Sequence, residues 1–152
     1  MNRSEARDTG RASDRTLLVS IHNHYARLIL AGKKSVELRR RFDASAAGSR
    51  MLIYATQPTA AVIGHVDIEK IDVMPVDELW QQHGASAVIS AEDFKLYYDG
   101  TDTGCALLLS NPTTYQSPVP LKNLREEYGL NAPQSYLVLK EAHRDLIEHE
   151  QK

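Results

Sequence analysis

The residues able to do chemistry are concentrated in one run, Gly32-Lys33-Lys34-Ser35-Val36-Glu37-Leu38-Arg39-Arg40-Arg41. A period of two puts Ser35, Glu37, Arg39 and Arg41 on one face of an extended segment and Val36, Leu38, Arg40 and Phe42 on the other. A carboxylate and a guanidinium therefore share a face. From Arg27 to Arg50 seven basic residues stand against Glu37 and Asp43, a net charge of +5 in a chain whose total is −2. A basic patch on an otherwise acidic chain is the footprint of an anion or nucleic-acid partner. The competing reading is a solvated strand face carrying a surface ion pair.

Other reactive residue types offer less. Cys105 lies in the apolar run Cys105-Ala106-Leu107-Leu108-Leu109, where a buried thiol is the expectation and a nucleophile is not. His22-Asn23-His24 precedes a helical pattern, so His22 is expected to cap it. His22, His24 and His65 lack a supporting CxxC, HExxH or acidic cluster, and neither metal nor cofactor is expected. Tyr25 and Tyr54 are candidates to stack on an unpaired base, although Tyr25 also belongs to an apolar helical stripe.

The elements that position these residues can be read in order. Residues 1–15 hold no large apolar side chain after Met1 and read as a flexible tail. Leu17 to Ile21 is a buried strand; Tyr25, Leu28 and Ile29 then recur at helical spacing, and Gly32 supplies the left-handed stop. Strands follow at 35–42, 50–55 and 61–68, the last extending toward Val73, with Gly64 marking a bulge. Short helices are expected at 75–80 and after Ser90, a strand at 104–109 interrupted by Asn111-Pro112, a helix at 120–129, a last strand at 135–139 and a polar terminal helix over 141–152. About six strands with inserted helices predict an α+β fold, a small mixed β-barrel over 16–140. With 152 residues, 42% hydrophobic and 25% charged, the chain can bury a core without a staple. No apolar run reaches membrane length and no secretory leader is visible, so a cytoplasmic protein without membrane contact is expected.

Ser20-Ile21-His22, Tyr25-Ala26 and Ile29 through Arg39 resemble the signature of the ASCH domain, a PUA-like β-barrel family. Its G-x-K-x-x-E-x-R pattern is met by Gly32, Lys34, Glu37 and Arg39. Further landmarks fall in order: Tyr54 with Pro58 and Gly64, and Pro133-Gln134-Ser135-Tyr136. The resemblance implies a cleft floored by the signature strand and a ligand that is single-stranded RNA or a modified nucleotide. Lys33, Lys34, Glu37, Arg39, Arg41, Arg50 and Tyr54 are the expected nucleic-acid contacts. It also implies an alternative, a metal-independent ribonuclease or an amidohydrolase acting on N4-acetylcytidine, with Lys34, Glu37, Tyr54 and Ser135 as the catalytic set. Two departures favour binding over catalysis: Glu37 stands where the amidohydrolase relatives carry threonine, and Ala60 stands where nuclease-like members carry lysine.

Overall fold

The structure is a computed structural model that describes residues 15–151, so the tail reading for residues 1–15 lies outside the described residues except at Arg15. Six strands, β1 (Thr16–Ile21), β2 (Val36–Arg39), β3 (Arg50–Ala55), β4 (Ala61–Pro75), β5 (Thr103–Pro120) and β6 (Tyr136–Val138), form one mixed sheet in the order β2-β5-β4-β3-β1-β6. Only β1 and β3 run parallel. A parallel pair needs a crossover. Helix α1 (Asn23–Leu30) and β2 lie within it, which places the signature run between the two parallel strands in sequence and at the sheet's edge in space.

The sheet is curled. The backbone ladder does not close between β2 and β6, but their ends meet through side chains: Phe42, just past β2, packs on Tyr136 of β6 with ring centroids 4.4 Å apart. Inside the curl sits the main core, built from Leu17, Val19 and Ile21 of β1, Met51 and Ile53 of β3, Val66 and Ile68 of β4, and Ile29 of α1. At Gly64 the β3–β4 and β4–β5 registers shift, and a side chain there would come within 2.3 Å of the Thr113 carbonyl and 2.8 Å of Leu30. The bare backbone lets α1 lie against the bulge.

Two apolar layers cover the outside. Val36 and Leu38 of β2 pack against Leu79 and Ala87 of α2 (Val76–Ala87) and Phe94 of α3 (Ala91–Tyr97). Leu18, Leu52 and Tyr54 pack against Leu124 of α4 (Leu121–Tyr128) and Leu146 of α5 (Arg144–Ile147).

Several expectations change. Asn111-Pro112 does not interrupt β5: Asn111 takes φ 54° at a register shift, where a proline without a ladder N–H is tolerated, and the strand runs on to Pro120. Helix α2 continues past Trp80 to Ala87 because Gly84 and Ala87, too small to signal a stripe, lie buried beneath it. The expected strand 35–42 is only Val36–Arg39, and alternation ends there. The terminal helix shrinks to a 3-10 turn at Glu141–His143 and the single turn of α5. No helix among the described residues is long and apolar enough to cross a membrane.

Candidate nucleic-acid interface

Lys34 stands where α1 gives way to β2, after Gly32 in the left-handed region at φ 77°. Its side chain is 3% exposed. The ammonium donates to the Ala87 carbonyl (2.6 Å) at the end of α2, lies 3.6 Å from Glu37 Oε1 and sits 4.7 Å from the Tyr25 ring centre. A cation at a helix C-terminus is favourably placed, and here it also satisfies one of that helix's orphan carbonyls. Burial pushes the Lys34 pKa down, while Glu37 opposes the shift.

Glu37 and Arg39 share the face of β2 opposite Val36 and Leu38, as alternation predicts. Arg39 donates through Nε to Glu37 Oε2 (3.1 Å), through Nη2 to the Ser20 carbonyl (2.8 Å) and through Nη1 to Ser135 Oγ (3.4 Å). One side chain thus ties the signature strand to the end of β1 and the start of β6. Its Ser135 contact is long and exposed, so an anion can replace it.

Beside this pair opens a cavity of about 300 Å³ lined by His22 and Tyr25, by Glu37, Leu38 and Arg39, and by Ile89 and Tyr97. His22 caps α1, accepting at Nδ1 from the His24 amide, as expected. Tyr97 is held by Arg40, which donates from Nε to the Tyr97 carbonyl (2.6 Å) and from its amide to the Tyr97 hydroxyl (3.2 Å). Burial, then Asp93 and Glu37, push the Tyr25 pKa up, so the phenol stays protonated at neutral pH. Two tyrosine rings, an acceptor carboxylate and a guanidinium donor can together hold a planar ligand that carries both N–H and carbonyl groups.

A second group of hydroxyls lies beyond Arg39. Ser20 of β1 pairs with Tyr54 of β3, and the Ser20 amide donates to the Ser135 carbonyl (3.1 Å), so β3, β1 and the approach to β6 bring Tyr54, Ser20 and Ser135 into adjacent rows. Ser20 Oγ donates to the Pro133 carbonyl (2.6 Å). Tyr54 is on the outer layer of the sheet, packed with Leu18 and Val62, and is not part of the Glu37 cavity. Burial pushes its pKa up. A protonated phenol there is a donor, not a base.

The remaining expected contacts are not gathered here. Lys33 and Arg41 are exposed on either side of the strand. Arg50 sits at the opposite end of β3, facing Thr16, with Nε on Asp67 Oδ1 (3.1 Å). His65 is buried on β4 against Tyr115, away from His22. Tyr97, Ile89 and the Ala87 carbonyl carried no signal: they come from the α2–α3 insertion, and local periodicity does not tell where an insertion folds back.

The family model described as ASCH domain matches residues 19–134. A relative from Zymomonas mobilis, described as an ASCH domain-containing ribonuclease, is 35% identical over 119 residues, 78% of this chain and 80% of that one. The crystal structure of ASCH from Zymomonas mobilis superposes with a TM-score of 0.83 at 32% identity, covering 88% of this chain and 94% of the other. Tyrosine-to-phenylalanine and serine-to-alanine variants of it are also among the similar structures, with TM-scores of 0.83 and 0.82. Human THYN1, in complex with 5-methylcytosine-containing DNA, shares the fold at a TM-score of 0.51 and 9% identity, over 88% of this chain and 95% of that one. With the model covering most of the chain and a relative above 30% identity along most of its own length, the chain belongs to the ASCH domain family.

Proposed function

We propose that this protein binds single-stranded RNA, seating one base in the Tyr25–Tyr97 cavity and its phosphates along the Arg39–Ser135 edge. The observation that carries the reading is the Arg39–Glu37 pair. It is anchored from below by Lys34 and offers a donor and an acceptor side by side at the mouth of a cavity walled by aromatic rings. Unpaired bases expose such edges and faces, whereas duplexes hide them. Arg40, exposed and bonded to Tyr97, adds positive charge at the rim. The reading is tested by fluorescence anisotropy with a labelled RNA oligonucleotide, in single-stranded and duplex form, over a salt series. Preference for the single strand, with affinity falling steeply as salt rises, is expected. Equal affinity for an unstructured polyanion, or a salt-independent constant, would overturn it.

A second reading, metal-independent RNA cleavage, is favoured by one specific observation. The Zymomonas mobilis relative bears the name ribonuclease, and the tyrosine and serine varied in its structures are as far apart in its chain as Tyr54 and Ser135 are in this one. In that reading the RNA 2′-hydroxyl attacks the adjacent phosphorus, the bond to the 5′-oxygen breaks, and a 2′,3′-cyclic phosphate and a 5′-hydroxyl result. Tyr54 and Ser135 donate to the phosphoryl oxygens and Arg39 offsets the developing charge. Lys34, enclosed under Ala87 and Glu37, positions the carboxylate instead of meeting the substrate. Product analysis in EDTA is the test: cyclic-phosphate ends from wild type, lost in Tyr54→Phe and Ser135→Ala, are expected, and intact RNA after prolonged incubation would remove this reading.

A further inference from the structure

We infer that Arg125 holds a second phosphate of the same strand, giving the interface an anion-binding subsite on α4, separate from the one at Arg39; the inference rests on the RNA-binding reading above. It starts from Tyr54. That side chain is 97% enclosed, at 3% relative exposure, yet its hydroxyl makes no hydrogen bond among the described residues. Ser110 Oγ is the buried side-chain oxygen left without a partner, so the Tyr54 oxygen is not itself sealed in: the ring is enclosed and the tip touches solvent. A phenol of this kind is a ready donor awaiting an acceptor.

Helix α4 supplies the charge beside it. Leu124 packs in the same cluster as Tyr54, with Leu121 and Tyr128 against it, and Arg125 lies four residues after Leu121 and three before Tyr128, on the flank of that buried stripe. The Leu121 amide donates to the Ala60 carbonyl, which fixes the start of α4 next to the loop that follows β3. The guanidinium is aimed by Asn131, whose Oδ1 accepts from Arg125 Nε at 2.6 Å. Arg125 is also the charge that opposes the burial-driven rise of the Tyr54 pKa. No carboxylate pairs with Arg125 among the described residues, leaving its terminal nitrogens available.

The two guanidinia are linked by one segment. Asn131 holds Arg125 and Ser135 receives Arg39, so residues 131–135 run between the two cations, with the Ser20–Pro133 hydrogen bond pinning the middle. Four residue steps span at most about 14 Å. A strand crossing this segment meets a cation at each end and the Tyr54 hydroxyl on the way.

The experiment is a salt series of single-stranded RNA binding to wild type, Arg125→Gln, Arg125→Lys, Asn131→Ala and Arg39→Ala, with thermal melts confirming that each variant is folded. Arg125 is exposed, so its substitution is expected to leave the melt unchanged. Arg125→Gln should weaken binding roughly tenfold and reduce the slope of log K against log salt by about 0.7, the share of one phosphate on a single strand. Arg125→Lys should restore the slope, because a point charge still neutralises a phosphate. Asn131→Ala should lower affinity while keeping the slope. A wild-type affinity and slope in Arg125→Gln, with Arg39→Ala still impaired, overturns the second subsite and leaves the interface reading intact. A wild-type protein that binds RNA without salt dependence overturns both.

Discussion

The two ends of the curled sheet each carry an arginine–carboxylate pair of the same length. Arg39 Nε meets Glu37 at 3.1 Å at one end, and Arg50 Nε meets Asp67 at 3.1 Å at the other. At the Arg50 end the pair is tied further into the protein: Asp67 Oδ2 accepts from Asn111, and Arg50 Nη1 donates to Gln151 of the C-terminal segment. At the Arg39 end the pair borders a cavity of about 300 Å³, and one guanidinium contact is a stretched one to an exposed serine. Ion-pair geometry therefore does not separate the two arginines. What separates them is the opening beside the Arg39 pair and the long, exposed contact that it makes there.

The largest expected difference between the ends is in stability, and it lies beneath the pair. Removing Lys34 leaves Glu37 buried with one cation fewer and the Ala87 carbonyl without its donor. Lys34→Ala should cost about 3–5 kcal/mol, the range for breaking a buried pair. Arg50→Ala leaves Asp67 its Asn111 partner and should cost about 1–2 kcal/mol. Urea denaturation of both variants checks the order; equal losses would mean that the Lys34 corner contributes no more than the Arg50–Asp67 pair.

In RNA binding the contrast should be sharper still, although smaller in energy. Arg39→Ala removes a charged donor at the cavity mouth and should weaken binding about 30-fold, or about 2 kcal/mol. Arg50→Ala should leave the affinity within about twofold. Anisotropy on the two variants at one salt concentration decides it, and a larger loss at Arg50 would move the interface to the opposite end. Tyr97→Ala comes next, with a loss of about tenfold for one stacked base.

Much of the Arg39 end was legible because its logic is local. Alternation assigned Glu37 and Arg39 to one face, Gly32 announced the end of α1 by its backbone freedom, and Ser90 did cap α3 through the Asp93 amide. The position of Arg50 was not legible, for a physical reason. Arg50 is close in sequence to the basic run, but the parallel register of β1 and β3 carries it a strand's length away, and its partner Asp67 is assigned only by the β3–β4 register. Charge counted along a chain does not survive a crossover. Ser135 reaches Arg39 from 96 residues away, which no spacing argument could pair. The family landmark Pro133-Gln134-Ser135-Tyr136 kept it in view.

The smallest expected effect concerns how the C-terminal segment that reaches Arg50 is held on β5. The Glu150 carboxylate accepts from the amides of Gln116 (2.8 Å) and Ser117 (2.6 Å), which hold its pKa below the usual value of 4.5. A depressed folded-state pKa contributes stability that is complete above the ordinary value and is lost as pH falls through the folded one. Acidification below about 4.5 should therefore release the terminal segment from β5, raising amide exchange at Gln116 and Ser117 before the core opens. Glu150→Gln should show that faster exchange already at neutral pH, with RNA affinity unchanged, because neither Glu150 nor the β5 residues that it holds line the Glu37 cavity. Coupled loss of RNA binding in Glu150→Gln would show that the C-terminal latch and the interface communicate, and the two would then form a single device.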